Sequence, residues 1–159
     1  MKNILKIREA ASTPEVQQLF AKDMAASVDR CIADLKGIKG VLIKKSYQVV
    51  KNVRKGYVEH MIMVMSNDFI NAFEPLHEAH RASMTLPAER VTPFRDYLAK
   101  HSQEAYDAFI SVADKYAESR KDALVGKSYA MFRPQLSAYF QLAIPYLADV
   151  VDAHTVIDV

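Results

Sequence analysis

From Val16 onward, apolar residues recur at steps of three and four. Val16, Leu19, Phe20, Met24, Val28, Cys31, Ile32 and Leu35 share one face, and the spacing predicts a helix ending near Asp34. Thr13 stands as its N-cap, with Pro14 at the first helical position and Glu15 in the first turn. Gly37 and Gly40 break the pattern. A second helix is expected over Val41 to Arg54, with Leu42, Ile43, Ser46, Tyr47, Val49, Val50 and Val53 on one inward arc. Lys44, Gln48, Lys51 and Lys55 align opposite, flanked by Lys45 and Arg54.

Gly56 separates this segment from a third predicted helix, Tyr57 to His80. Its centre, Met61 to Met65, is apolar on every side, which implies a helix enclosed by others. Phe69, Ile70, Phe73 and Leu76 continue the helical period, so a strand is disfavoured. Residues 82–93 contain Pro87 and Pro93 and read as the one long connection and the boundary between two halves. Four further helices are expected: a short one from Thr92-Pro93 to Lys100; one opened by Ser102 with Ala105, Phe109, Ile110, Ala113 and Tyr116 inward; one over Asp122 to Phe132; and one after Pro134 to about Asp152, containing Pro145. Ile4, Leu5 and Ile7 suggest a helical turn or two before the first. The fold expected is therefore all-α, a six- to seven-helix bundle.

At an offset of 82 positions the chain matches itself. Lys39, Leu42, Lys45, Ser46, Tyr47, Tyr57 and Ile62 meet Lys121, Leu124, Lys127, Ser128, Tyr129, Tyr139 and Ile144, while Val50 and Lys51 meet Phe132 and Arg133. Duplication of a three-helix unit, residues 13–80 and 95–159, would give two pseudo-symmetric halves. Amphipathic helices also share such spacing by chance, so both readings stand.

Composition narrows the class. With 159 residues, 50% hydrophobic and 25% charged, the chain fits one globular domain over 1–159. Four glycines and six prolines are few for an all-β protein. Cys31 is the only cysteine, which excludes an internal disulfide and a cysteine-based zinc site and fits a core thiol. Lys6 and Arg8 interrupt the N-terminal apolar stretch, so a signal peptide is not expected. The longest uncharged run, Pro134 to Ala148, is too short and too polar for a transmembrane segment. A cytoplasmic location is the expectation.

Charge is unevenly spread. Residues 35–58 carry seven basic residues (Lys36, Lys39, Lys44, Lys45, Lys51, Arg54 and Lys55) and no acid, so the rest of the chain is five charges negative. Beyond Arg133 the only charged residues of the Lys, Arg, Asp and Glu types are Asp149, Asp152 and Asp158.

The ordered series Lys36-Gly-Ile-Lys-Gly-Val-Leu-Ile-Lys-Lys-Ser-Tyr, Val50-Lys51, Lys55-Gly56-Tyr57-Val58, Asp68-Phe69 and Phe73-Glu74-Pro75, followed by Leu124, Lys127 and Tyr129, resembles a family of uncharacterised bacterial proteins of about this length, a domain of unknown function. The resemblance spans about residues 13 to 150. It implies a helical fold and a bacterial source, and brings no activity, ligand or catalytic residue. It also implies an aromatic residue at the position of His77, which argues against a metal role there as a family feature.

Three constellations are candidates for function. Lys44, Lys45, Lys51, Arg54 and Lys55 could contact an anionic partner: an acidic protein surface, nucleic acid or anionic lipid. Aromatic residues are not interleaved with these lysines, so base stacking on a single strand lacks support. The alternative is a solvated outer face. Glu74 and His77, three residues apart, form half of the carboxylate–imidazole pattern of di-iron bundles, but the second copy is missing: Val156 and Val159 stand at the offset positions. Glu78, His80 and Arg81 stand beside them, and the favoured reading is a helix end rich in surface ion pairs, with His77 or His80 half-buried. Third, methionines (Met61, Met63, Met65, Met84, Met131) and tyrosines (Tyr47, Tyr57, Tyr129, Tyr139) could line a pocket between helices for an apolar small molecule or acyl chain, or simply fill a core.

No catalytic residue is evident. Ser46 and Ser128 sit mid-helix, and Lys36-Gly-Ile-Lys-Gly lacks the strand that a phosphate loop follows. The favoured expectation is a non-enzymatic interaction protein that uses the basic helix, residues 41–55, to meet an anionic partner or a second copy of itself as a homo-oligomer. The apolar pocket is the alternative. No cofactor is expected.

Overall fold

The computed structural model describes residues 1–120 and 123–159, so Lys121 and Asp122, the expected partner of Lys39 and the expected start of a helix, lie outside the described residues. Thr13 caps the first long helix: its hydroxyl accepts the Val16 N–H at 3.2 Å, and Pro14 opens α2 (Pro14–Ala33), after a single turn, α1 (Ile7–Ala10).

Gly37 and Gly40 do not break the chain as expected. Gly37, at φ 82°, makes the turn itself, and α3 (Gly37–Lys51) starts four residues before Val41. Gly40 lies inside α3, where a Cβ would stand 3.2 Å from Leu35. The helix also stops at Lys51, three residues short of Arg54. Gly56, at φ 72°, then redirects the chain into α4 (Tyr57–Ala82).

The remaining helices are α5 (Phe94–Lys100), α6 (Ser102–Glu118), α7 (Leu124–Phe132) and α8 (Leu136–Thr155), with a 3-10 turn, Arg133–Gln135, between the last two. The protein is an all-α bundle with seven helices of seven residues or more among the described residues. Among the described residues a small sheet departs from the expected all-helical pattern. Strands β1 (Lys2–Ile4) and β2 (Val156–Asp158) pair antiparallel and clasp the two ends of the chain, with Ile4 opposite Val156. Lys2 also exchanges backbone hydrogen bonds with Ala88 in the long connection.

α2 packs on α4 and α8, α4 on α6, α5 on α8, and α3 on α7. The buried side chains form two clusters rather than one. Leu76, Phe94, Leu98, Ala105, Tyr106, Phe140, Ile144 and Ala148 make the larger. Val50, Val58 and Val125 make the smaller, beneath the α3–α7 pair. None of the described helices is long and apolar enough to cross a membrane.

Candidate functional site

The space between the two clusters is a cavity of about 360 Å³. Its wall takes residues from both clusters: Val50, Val58 and Val125 at one end, Phe94, Leu98, Phe140 and Ile144 at the other. The helical period of α2 and α4 supplies the sides, with Phe20, Met24 and Val28 from one and Met61, Ile62, Met65, Phe69 and Phe73 from the other. Phe20, Met24, Phe69, Phe73, Phe109 and Phe132 all line the cavity, and all are only half-buried. Large aromatic side chains in a filled core would be more completely covered. The Met61–Met65 run is accordingly not enclosed on all sides: Met61, Ile62 and Met65 face the cavity, and Val64 is 53% exposed on the outer side.

The few polar groups in the wall are turned toward protein partners. Tyr47 donates its hydroxyl to Asp29 at 2.6 Å, and Tyr129 donates to Asp114 at 2.6 Å. The Tyr116 hydroxyl meets that of Tyr57 at 3.2 Å, Ser66 donates to the Ile62 carbonyl, and Gln17 to the Ala11 carbonyl. Burial, and then the neighbouring carboxylate, push the phenols of Tyr47 and Tyr129 far up, so both stay neutral donors. No Lys, Arg, Asp, Glu or His lines the cavity among the described residues. Such a wall can hold an apolar body but offers no charge for a carboxylate or phosphate, and no acid or base for catalysis.

Tyr129 and Arg133 stand 82 positions beyond Tyr47 and Lys51, and they treat Asp114 as the earlier pair treats Asp29. Lys51 Nζ lies 3.3 Å from Asp29, and Arg133 Nε lies 2.9 Å from Asp114. Arg133 also donates to the Tyr106 hydroxyl. Hydrogen bonds from Arg133 and Tyr129 hold the Asp114 carboxyl below the usual carboxylate range against the opposing effect of burial.

The basic residues of the α3 region do not form the single stripe expected. Lys44 and Lys45 are exposed on α3. Lys51 is occupied by Asp29 and lies over the Tyr47 ring, 5.6 Å from its centroid. Because α3 ends at Lys51, Arg54 and Lys55 lie beyond it, and the Arg54 guanidinium rests over the Tyr57 ring. The inward arc is also narrower than expected. Ile43 and Val50 are buried, but Leu42 is 57% exposed, Val49 36% and Val53 45%. α3 meets the bundle along Gly40, Ile43, Ser46, Tyr47 and Val50, and Leu42 and Val49 beside this strip face out.

Glu74 and His77 do not act together. Glu74 pairs with Arg8 at 2.9 Å on the surface, whereas His77 is 99% covered, turned toward Phe94. No group of three or more His, Cys, Asp or Glu side chains placed to hold a metal ion occurs among the described residues. A buried polar cluster takes its place. His77 and His80 pack around Phe94, and Asp152 of α8 accepts the Phe94 N–H at 3.0 Å, helping to start α5. Both ring nitrogens of His77, Nε2 of His80 and Oδ1 of Asp152 lack a hydrogen-bond partner among the described residues. Burial, then the positive neighbours His80 and Arg81, lower His77 to about 4, and burial raises Asp152 to about 6. Sequence spacing singled out the cluster that holds His77 and His80 but offered no sign that they and Asp152 converge on Phe94, because all three contacts are between elements.

A family model described as "Family of unknown function (DUF6918)" matches residues 7–155. No curated protein and no solved structure matches the chain.

Proposed function

Since the chain belongs to that family of unknown function, membership brings no activity with it, and we propose that the protein is a non-enzymatic carrier or receptor for an apolar small molecule, such as an acyl chain, held in the interhelical cavity. The observation that carries this reading is the cavity itself: about 360 Å³, within the range of small-molecule pockets, with a wall of Leu, Ile, Val, Met and Phe whose tyrosine hydroxyls are already bonded. An empty apolar space of this size is costly to keep, because its lining forgoes contacts that a filled core would make. A ligand that fills it restores those contacts. Neither a charged headgroup site nor a catalytic acid–base pair lines the wall, which favours storage, transport or sensing over turnover. A cytoplasmic location fits a chain whose one cysteine, Cys31, is a buried free thiol.

Native mass spectrometry of freshly purified protein tests this. The expected result is an added mass that organic extraction removes and palmitate restores at one equivalent. In the Ala117→Phe and Val28→Phe variants, which place an aromatic ring into the cavity, uptake falls at least about tenfold while thermal stability is kept or raised. A protein that carries no extra mass and takes up no palmitate, retinol or similar apolar probe contradicts the reading.

A further inference from the structure

α3 has an inward face and an outward one. Ile43, Tyr47 and Val50 face the bundle, and Tyr47 and Val50 line the cavity. On the outward side Ile38 is 85% exposed, Leu42 57% and Val49 36%, and Lys45 stands between the last two at steps of three and four. The partner helix repeats this rhythm. On α7, Leu124 is 59% exposed, Lys127 is exposed, and Met131 is 73% exposed, again at steps of three and four. α7 likewise gives its other side, Val125, Tyr129 and Phe132, to the cavity. The α3–α7 pair is therefore a roof over the cavity whose outer surface is aliphatic and studded with lysines. Contiguous exposed aliphatic residues rimmed by charge mark an interaction surface.

We infer that this outer face docks on the surface of a bilayer containing anionic phospholipid. Ile38, Leu42, Val49, Leu124 and Met131 enter the interface, while Lys39, Lys44, Lys45 and Lys127 reach the phosphates. The charge fits one occupant best. Residues 35–58 contain no acid, and Lys39, Lys44, Lys45 and Lys127 have no carboxylate partner among the described residues. A twofold-related second copy on this face would set these lysines against their own equivalents. A nucleic acid would press its phosphates against Leu42 and Val49, which it cannot use. An anionic bilayer satisfies both halves of the surface, apolar residues below the headgroups and ammonium groups among them. Docking stands on the two helices alone. That the bilayer also supplies the cavity's ligand, through the roof, rests on the function proposed above.

Flotation of the full chain with vesicles of phosphatidylcholine, with and without phosphatidylglycerol, tests the inference. The protein is expected to float with the anionic vesicles only, and less so as salt is raised. The Ile38→Ser/Leu42→Ser and Lys44→Glu/Lys45→Glu variants should each lower the bound fraction at least about tenfold, with circular dichroism and palmitate uptake unchanged. Lys22→Glu, on the outer surface of α2, should leave flotation as in the parent. Palmitate uptake without flotation overturns docking while sparing the pocket, and flotation without uptake does the reverse. Docking is also overturned if Ile38→Ser/Leu42→Ser floats like the parent, if the same substitutions dissolve a dimer seen in sedimentation, or if they abolish duplex DNA binding while vesicle binding persists.

Discussion

Tyr47 donates its hydroxyl to Asp29 at 2.6 Å, tying α3 to α2 at the edge of the cavity. Tyr129 makes the same bond to Asp114 and ties α7 to α6. We propose that the two arrangements descend from one three-helix unit. The offset is 82 for the tyrosines and 85 for the aspartates, so the connection between the paired helices differs by three residues. Tyr47→Phe and Tyr129→Phe should each destabilise the fold by about 1–2 kcal/mol, since each leaves a half-buried carboxylate with one donor fewer. Chemical denaturation checks this. Unrelated halves would be indicated by one substitution proving neutral while the other is severe.

His77 gives the protein a pH dependence. Its folded-state pKa of about 4 lies below the usual histidine value of 6.5, so between those limits the unfolded chain binds more protons. Stability is therefore lost as pH falls from about 6.5 toward 4, by up to about 3 kcal/mol. His77→Phe removes two buried ring nitrogens without partners and keeps the edge contact with Phe94. It should stabilise the protein by about 1 kcal/mol at neutral pH and by more at pH 5. A variant whose advantage over the parent does not grow as the solution is acidified contradicts the assignment.

Asp152 works in the opposite sense. Its folded pKa of about 6 exceeds the usual 3.8, so the native state holds a proton that the unfolded state has released, and stability falls as pH rises through that window. Asp152→Asn keeps an acceptor for the Phe94 N–H and never ionises. Its melting temperature should match that of the parent near pH 4 and exceed it above pH 7, as read by differential scanning calorimetry. Equal melting temperatures at both pH values would show that Asp152 is not held in the uncharged form.

The terminal clasp is worth more than two three-residue strands suggest. Ile4 is fully buried, and Arg81 Nε donates to its carbonyl at 2.7 Å, holding β1 against the end of α4. Ile4→Ala should cost about 2–4 kcal/mol, measured by urea denaturation, whereas Lys2→Ala, which removes an exposed ion pair with Asp158, should leave the urea midpoint close to that of the parent.

These cases show what the sequence could and could not disclose. Helix identity was legible because the 3.6-residue period runs through α2, α4, α6 and α8, and Thr13-Pro14 marked the start of α2 to the residue. The α3 boundaries were missed because a glycine at positive φ can begin a helix as readily as end one, as Gly37 does. β1 and β2 were invisible because three residues carry no period. Leu42 and Val49 belong to the apolar arc of α3 yet face outward. An apolar arc says that a surface avoids water, not whether this chain or something else covers it. The cavity could be named only as an alternative, since Met61, Phe69 and Phe109 have the same pattern whether they meet in a filled core or face a void.

The central claim, that the bundle holds an apolar ligand, is tested most directly by an indole placed in the wall. The chain has no tryptophan, so Phe69→Trp creates a single reporter beside Phe109 in the cavity. Titration with cis-parinaric acid should quench its fluorescence by energy transfer, saturating at one equivalent, and palmitate should reverse the quenching. Quenching that rises without saturation, or that palmitate does not reverse, would contradict the account.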